Sequence, residues 1–163
     1  MIKPIGAAAV LVAVGMLLCP VSASAATHPL PFGATFSGTA TLTSQTTASF
    51  AGTGTATQMG RVTTVGNAVV TGFTNTICPG GVANTNVNTE TLTAANGDTL
   101  TIASDDEGCP TGPGQYHGTG HWNVTGGTGL FSGATGDGSF DGHSDFGAGI
   151  FAIDLTGTLV LDN

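Results

Sequence analysis

The sequence predicts an all-β protein: an eight-stranded antiparallel up-and-down β-barrel with little helix. Small or apolar residues alternate with threonine and other polar residues through most of the chain, which is the period of a strand. Helix formers are scarce, because no lysine and only two glutamates, Glu90 and Glu107, follow residue 25. The dipeptide Asn96-Gly97 separates two alternating runs, as in a β-hairpin. Closing eight strands into a barrel removes exposed sheet edges, and an open sandwich is the alternative.

Residues 1–25 are predicted to be a secretory signal peptide. Lys3 supplies the positive start, residues 5–18 form a short apolar run, and the small residues at 23–25 form a cleavage signal. Cleavage there leaves residues 26–163 as a single exported domain. A retained membrane anchor and a lipoprotein attached at Cys19 are the two alternatives.

The charge balance of the domain is strongly acidic. Arg61 is its one lysine or arginine, against ten carboxylates, and the whole chain carries a formal net charge of −8. Such a domain has no electrostatic attraction for nucleic acid or for an anionic membrane, so neither is expected as a partner. Arg61 itself is expected to pair with a carboxylate, or alternatively to orient an anion.

Four strands are predicted in the first part of the domain. Phe36 and Phe50 each share one face of their strand with small residues, so both are candidates to line the inside of the barrel around a ligand. Glycine on that face either lets the strands coil tightly or leaves room inside. The predicted strands cover residues 34–43, 48–57, 61–73, with a bend or bulge at Gly66-Asn67, and 85–94.

The second part supplies four more strands, over residues 98–104, 116–125, 136–142 and 149–161. Phe151 lies on the apolar face of the last strand, and Trp122 lies opposite the histidines of the sixth, so both are further candidates to line a ligand. A barrel of this size is filled by side chains or holds one small ligand.

Two cysteines of the domain fall in turn-like sequence. Cys78 is followed by Pro-Gly-Gly, and Cys109 lies in Gly-Cys-Pro-Thr-Gly-Pro. Simple up-and-down connection places both at one end of the barrel, with the Asn-Gly turn at the other. An exported protein with this pair is expected to form a Cys78–Cys109 disulfide, and a reactive thiol or a metal pair is the alternative.

A glycine-rich segment surrounds two bulky apolar residues, Leu130 and Phe131. Glycine permits a tight reversal and close backbone approach there, so both apolar side chains are expected to bury against the base of the barrel. Neither a following helix nor a lysine is present, which argues against a phosphate-binding loop. The glycines concerned are Gly126, Gly127, Gly129, Gly133 and Gly136.

This segment, at residues 122–140, resembles a signature of the allene oxide cyclase barrel and dirigent superfamily. Residues 52–66 and 93–100 resemble two further signatures of its small bacterial members, and the resemblance covers residues 33–161. The chain departs from it at residues 57–60, where Thr-Gln-Met-Gly replaces the relatives' Thr-His-Leu-Gly.

The resemblance implies a calycin-like barrel that is often a dimer or trimer, so a homo-oligomer is expected. Plant members catalyse a cyclisation in an apolar lumen with a buried carboxylate, and dirigent relatives steer radical coupling. Neither catalytic set maps onto positions of this chain. Glu90 and Asp154 are the candidate lumen carboxylates, although strand parity turns Asp154 outward if Phe151 faces the lumen.

The histidines of the sixth strand are the other candidates for chemistry. His117 and His121 share one face but lie about 13 Å apart, too far to bind one zinc ion together. They are interpreted as surface residues, with a general base in the lumen as the alternative.

The acidic residues near the second cysteine are interpreted as a solvated rim. Asp105, Asp106 and Glu107 are placed in one loop, with Asp141, His143 and Asp145 near another loop at the same end. A calcium site is the alternative, but the spacing of a calcium-binding loop is absent. No metal and no cofactor is expected.

Three functions follow as hypotheses. The first is a secreted barrel that binds or scaffolds a small apolar molecule without turnover. The second is an isomerase or cyclase that acts on a ligand in the lumen, and the third is a structural or interaction protein. The lumen discriminates among them, since a perturbed buried carboxylate favours the second and a lumen filled by side chains favours the third.

Overall fold

The computed structural model describes residues 28–162, so the predicted signal peptide lies outside the described residues. Eight antiparallel strands, each paired with its neighbours in sequence, form a closed barrel, which confirms the predicted fold class. The ring closes where β1 pairs with β8, with Phe36 opposite Ile153. The strands are β1 Leu30–Leu42, β2 Thr47–Ala56, β3 Gly60–Cys78, β4 Gly81–Ala94, β5 Thr99–Gly112, β6 Gln115–Gly127, β7 Thr135–Asp145 and β8 Ile150–Val160.

Several strands run further than the alternation of the sequence predicts. β5 continues to Gly112 because it pairs with β4 as far as Gly108 and with β6 to its end. β7 continues to Asp145 because it pairs with both β6 and β8 up to that residue. β3 stays in register through Gly66-Asn67, and its irregularities lie instead between Val70 and Gly72 and between Phe73 and Ile77. Among residues 28–162, no helix is long and apolar enough to cross a membrane.

The two ends of the barrel differ. The end that carries the β2–β3, β4–β5 and β6–β7 connections is filled by the apolar core, and we call it the closed end. The Asn96-Gly97 turn lies there, and the amide of Ala94 donates to the carbonyl oxygen of Asp98 across it, as the hairpin prediction requires. Fully buried side chains fill this half: Phe36, Leu92, Leu100, Ile102, Trp122, Phe131, Leu155 and Leu159.

The connection between β6 and β7 caps the closed end with a single 3-10 turn, Gly129–Phe131. Gly129 and Gly133 both have positive φ, which glycine adopts without strain. Phe131 is buried with 1% exposure, as expected, but Leu130 is 48% exposed, so the expectation that both residues bury is wrong for Leu130. Successive side chains of a 3-10 turn point about 120° apart, and Phe131 takes the inward direction.

Both cysteines lie at the opposite end, which we call the open end. Cys78 ends β3 and Cys109 lies within β5, and the predicted Cys78–Cys109 disulfide joins them across the intervening β4. The cross-link therefore fastens the long β3–β4 hairpin, whose residues Phe73 and Asn84 line a cavity at this end, to β5.

Candidate functional site

The open half of the barrel contains a cavity of about 280 Å³. Aromatic side chains from four strands or their connections line one side of it: Phe50, Tyr116, Phe140, Phe146 and Phe151. The rings of Phe50 and Phe151 meet edge to face with their centroids 5.1 Å apart. The opposite wall, formed by β4 and β5, is polar.

The predicted ligand-lining aromatics divide between the core and the cavity. Phe50 and Phe151 line the cavity, as expected. Phe36 and Trp122 do not, because both are fully buried in the filled half, where Trp122 packs edge to face on Phe32. The indole nitrogen of Trp122 donates to the carbonyl oxygen of Thr156, so its one polar atom is already satisfied. For these two residues the ligand-lining prediction is wrong.

Glu90 lies at the floor of the cavity with 3% of its surface exposed. It is two residues from Leu92, which belongs to the filled half, so an apolar core lies directly beneath its carboxyl group. Burial, and to a smaller extent the nearby negative charge of Asp106, raise the pKa of Glu90 from 4.5 to about 7. No residue within 28–162 donates a hydrogen bond to this carboxyl group, which leaves its oxygens directed at the cavity.

Asp106 is the second carboxylate of the polar wall, and its side chain is held in place. The amide nitrogen of Asn88 donates to one oxygen at 2.8 Å, and that of Asn86 donates to the other at 3.2 Å. Burial raises the pKa of Asp106, and these two hydrogen bonds oppose the rise because they favour the ionised form. The chain therefore fixes Asp106 with protein donors but leaves Glu90 without one.

Two inward-facing glycines make room for these carboxylates. A Cβ atom at Gly66 would lie 2.7 Å from Cγ of Glu90, and one at Gly118 would collide with a carboxylate oxygen of Asp106. Inward glycine thus leaves space for polar side chains here. Elsewhere it allows close approach of neighbouring strands, as at Gly38 against Gly52.

The prediction of a solvated acidic loop is wrong for Asp106. Asp105, Asp106 and Glu107 all lie within β5, and alternation along the strand turns Asp106 alone toward the lumen. Asp145 has a separate structural role at the open end. Its carboxylate accepts from the backbone amide of Ala148 and from Gln115, and these bonds lower its pKa.

The remaining candidates lie outside the lumen. His117 and His121 both point away from it, as their surface interpretation predicts, so neither is the lumen base of the alternative interpretation. Asp154 also faces outward and accepts a hydrogen bond from the Thr35 hydroxyl at 2.6 Å. Arg61 is exposed, and no carboxylate between residues 28 and 162 lies within ion-pair distance, so its expected pairing is wrong.

Asparagines form the part of this site that the sequence interpretation missed. The stretch Asn84-Thr-Asn-Val-Asn-Thr-Glu90 places three amides and one carboxyl on the same strand face as buried Leu92. Polar side chains that continue an apolar face signal a polar lumen wall. That signal is in the sequence, but the inward carboxylate of Asp106 emerges only from its pairing with β4.

Comparison with known protein families, with curated proteins and with solved structures finds no match to the chain.

Proposed function

We propose that this protein binds a small molecule with an apolar body and a hydrogen-bond-donating head group, in the open end of the barrel. The observation that carries the proposal is Glu90: a buried carboxyl group that accepts no hydrogen bond from residues 28–162, at the floor of a cavity with one aromatic wall and one polar wall. Its oxygens are reachable from the cavity, so a hydrogen-bond donor on a bound ligand would pair with them.

The charges of the cavity favour a cationic head group, such as an amine. Glu90 and Asp106 both line the cavity, while Arg61, the one lysine or arginine among residues 28–162, is exposed on the outside. An ammonium group on the ligand would be attracted to both carboxylates. Aromatic faces such as those of Phe50 and Tyr116 would add favourable cation–π contacts. The cavity volume of about 280 Å³ suits a ligand at the lower end of the usual size range.

Secretion and the allene oxide cyclase-like family are part of the same proposal. The disulfide is compatible with an extracytoplasmic protein, in which oxidised cysteines persist. A barrel with one plugged end and one open end supports the family resemblance, but the family's catalytic residues are not assigned to this chain.

A second candidate function is isomerisation or cyclisation of the bound molecule. It is favoured by the pKa of Glu90, which at about 7 suits a group that gives and takes a proton near neutral pH. In this function, Glu90 is the acid or base and the aromatic wall holds the reacting molecule in one conformation.

Thermal unfolding with matched ligands tests binding. At pH 8, an arylalkyl amine at a concentration near 100 times its Kd should raise the melting temperature by roughly 6–10 °C. At the same concentration as the amine, the alcohol of the same skeleton should raise the melting temperature less, because it lacks the positive charge and binds more weakly.

Two variants and one control separate the cavity from other surfaces. Glu90→Gln should remove the preference for the amine, and Ala68→Leu should weaken both ligands by filling part of the cavity. Asp154→Asn, which removes a carboxylate from the outer face, should leave both shifts unchanged. Equal shifts for amine and alcohol in the unmodified protein, a preference for the amine that survives in Glu90→Gln, or undiminished shifts in Ala68→Leu would contradict the proposal. Conversion of a bound ligand to an isomer by the unmodified protein but not by Glu90→Gln would support the second function.

A further inference from the structure

The outer face of the barrel carries a second cluster of side chains, of which only His143 also borders the cavity. His117 of β6 pairs directly with His143 of β7, and Asp141 lies two residues before His143 on the same face. The two imidazole rings stack with centroids 4.3 Å apart. Nε2 of His117 lies 3.1 Å from one carboxylate oxygen of Asp141, and Nε2 of His143 lies 3.7 Å from the other.

We propose that His117, Asp141 and His143 together bind one divalent transition-metal ion, with Zn²⁺ or Cu²⁺ as the expected class. One ligand atom from each residue lies within 4.8 Å of the other two. Ligand atoms around a tetrahedral Zn²⁺ lie about 3.4 Å apart, so the existing separations need only small side-chain adjustments. The two imidazole rings are nearly parallel, so metal binding requires them to rotate until a nitrogen of each points at the ion.

The donor set selects the class of metal. Two imidazole nitrogens and one carboxylate oxygen suit Zn²⁺, Cu²⁺ or Ni²⁺, whereas Ca²⁺ and Mg²⁺ prefer oxygen ligands alone. All three residues lie in a closed sheet, where cross-strand pairing on both sides fixes the backbone positions of the ligands. The side chains remain accessible to an incoming ion, with 37% exposure for His117 and 67% for His143.

A second carboxylate makes the face attractive to a cation. Asp154 of β8 lies directly opposite Asp141, and like charges in that arrangement destabilise a sheet. The hydroxyl of Thr35 donates to Asp154, but no lysine or arginine side chain within residues 28–162 lies within ion-pair distance of either aspartate. A dication bound at the cluster would offset this repulsion.

Calorimetric titration of the purified protein, prepared without a histidine tag, with Zn²⁺ tests the inference. One ion should bind per chain, and His117→Ala or His143→Ala should each weaken binding at least about tenfold. His121→Ala is the matched control, because His121 is exposed on the same face of β6 but outside the cluster, and its loss should leave zinc binding unchanged. All three histidine side chains are on the outer face of the barrel, so these variants are expected to fold normally.

A spectroscopic measurement checks the ligands without relying on lost affinity. Bound Cu²⁺ should show electron paramagnetic resonance splitting from two imidazole nitrogens, reduced to one in His143→Ala. Ca²⁺ in excess should not displace Zn²⁺. The inference fails if Zn²⁺ does not bind at about 1 mM, if the double variant His117→Ala/His143→Ala binds as tightly as the unmodified protein, or if Glu90→Gln alone abolishes binding, which would place the ion in the cavity.

Discussion

Glu90 shows how one residue links the stability of the fold to its chemistry. Its carboxyl group lies on an otherwise apolar floor and has no protein donor among residues 28–162, so the folded protein favours the neutral form. Asn88 and Asn86 instead donate to Asp106, the neighbouring carboxylate. The two acids therefore have different environments although both line one cavity, and only Glu90 gains strongly from a ligand donor.

The stability of the protein should fall as pH rises from about 4.5 to 7. The carboxyl of Glu90 ionises near 4.5 in the unfolded chain but near 7 in the folded protein, so folding favours the protonated group between those values. Complete ionisation costs about 3 kcal/mol of unfolding free energy. The side chain of Glu90→Gln is neutral at every pH. The difference in unfolding free energy between this variant and the unmodified protein should therefore grow by about 3 kcal/mol in favour of the variant as pH rises from 4 to 8.

Urea unfolding at a series of pH values measures this difference. Asp154→Asn is the control, because Asp154 is exposed and its loss should not produce the same rise in relative stability. A Glu90→Gln variant whose relative stability is the same at both pH values would mean that Glu90 is not held neutral by burial.

Adjacent residues of the closed-end turn should differ sharply in their contribution to stability. Phe131→Ala removes a fully buried ring and should cost about 3–5 kcal/mol. Leu130→Ala removes a half-exposed side chain and should cost less than about 1 kcal/mol. Chemical denaturation of the two variants makes the comparison, and equal costs would show that the turn does not direct Phe131 alone into the core.

At the scale of elements, alternation of residue type identified all eight strands but not their ends. β5 and β7 continue past their predicted ends because hydrogen bonding to both neighbours sustains strands through Asp105-Asp-Glu and through His143. Local composition favours a loop there, and closure of the barrel overrides it. The same cross-strand register creates the His117–Asp141–His143 cluster, which spacing along one strand cannot reveal.

Within residues 28–162, the disulfide is the one covalent link between strands that are not neighbours in the sheet. Cys78 and Cys109 are 31 residues apart, so the cross-link should contribute about 3–4 kcal/mol by limiting the freedom of the unfolded chain. The double variant Cys78→Ser/Cys109→Ser should lose that amount in urea unfolding. Reduction of the unmodified protein should reproduce the loss. If neither treatment changes the unfolding midpoint, the disulfide is not present in the folded protein.

The molecule as a whole combines a filled half with a hollow half. Both alternatives left open by the sequence, tight coiling of strands and space for a ligand, are present at different heights of one barrel. Composition and alternation predicted the barrel and Glu90 as a lumen candidate. They could not distinguish the core residues Phe36 and Trp122 from the cavity residues Phe50 and Phe151, because all four are aromatic residues on inward faces. The expected homo-oligomer stays a prediction.

Hydrogen exchange should reveal this division along the barrel axis. Amides near Leu92, Leu100 and Leu159 lie in the filled half and should exchange only with global unfolding. Amides of the hairpin around Phe73, which is 76% exposed and lies beside a register shift, should exchange by local opening. A saturating cavity ligand should slow exchange at the second group more than at the first. Uniform protection over both groups would contradict the picture of two unequal halves.

The position of the strand ends has a practical consequence for handling the protein. β1 begins at Leu30 and β8 ends at Val160, and these two positions lie side by side at the closed end, away from the mouth of the cavity. A tether, fusion partner or solid support joined next to Leu30 or Val160 would thus leave the mouth of the cavity facing the surrounding solution. Immobilised protein should consequently capture small molecules as well as the free protein does.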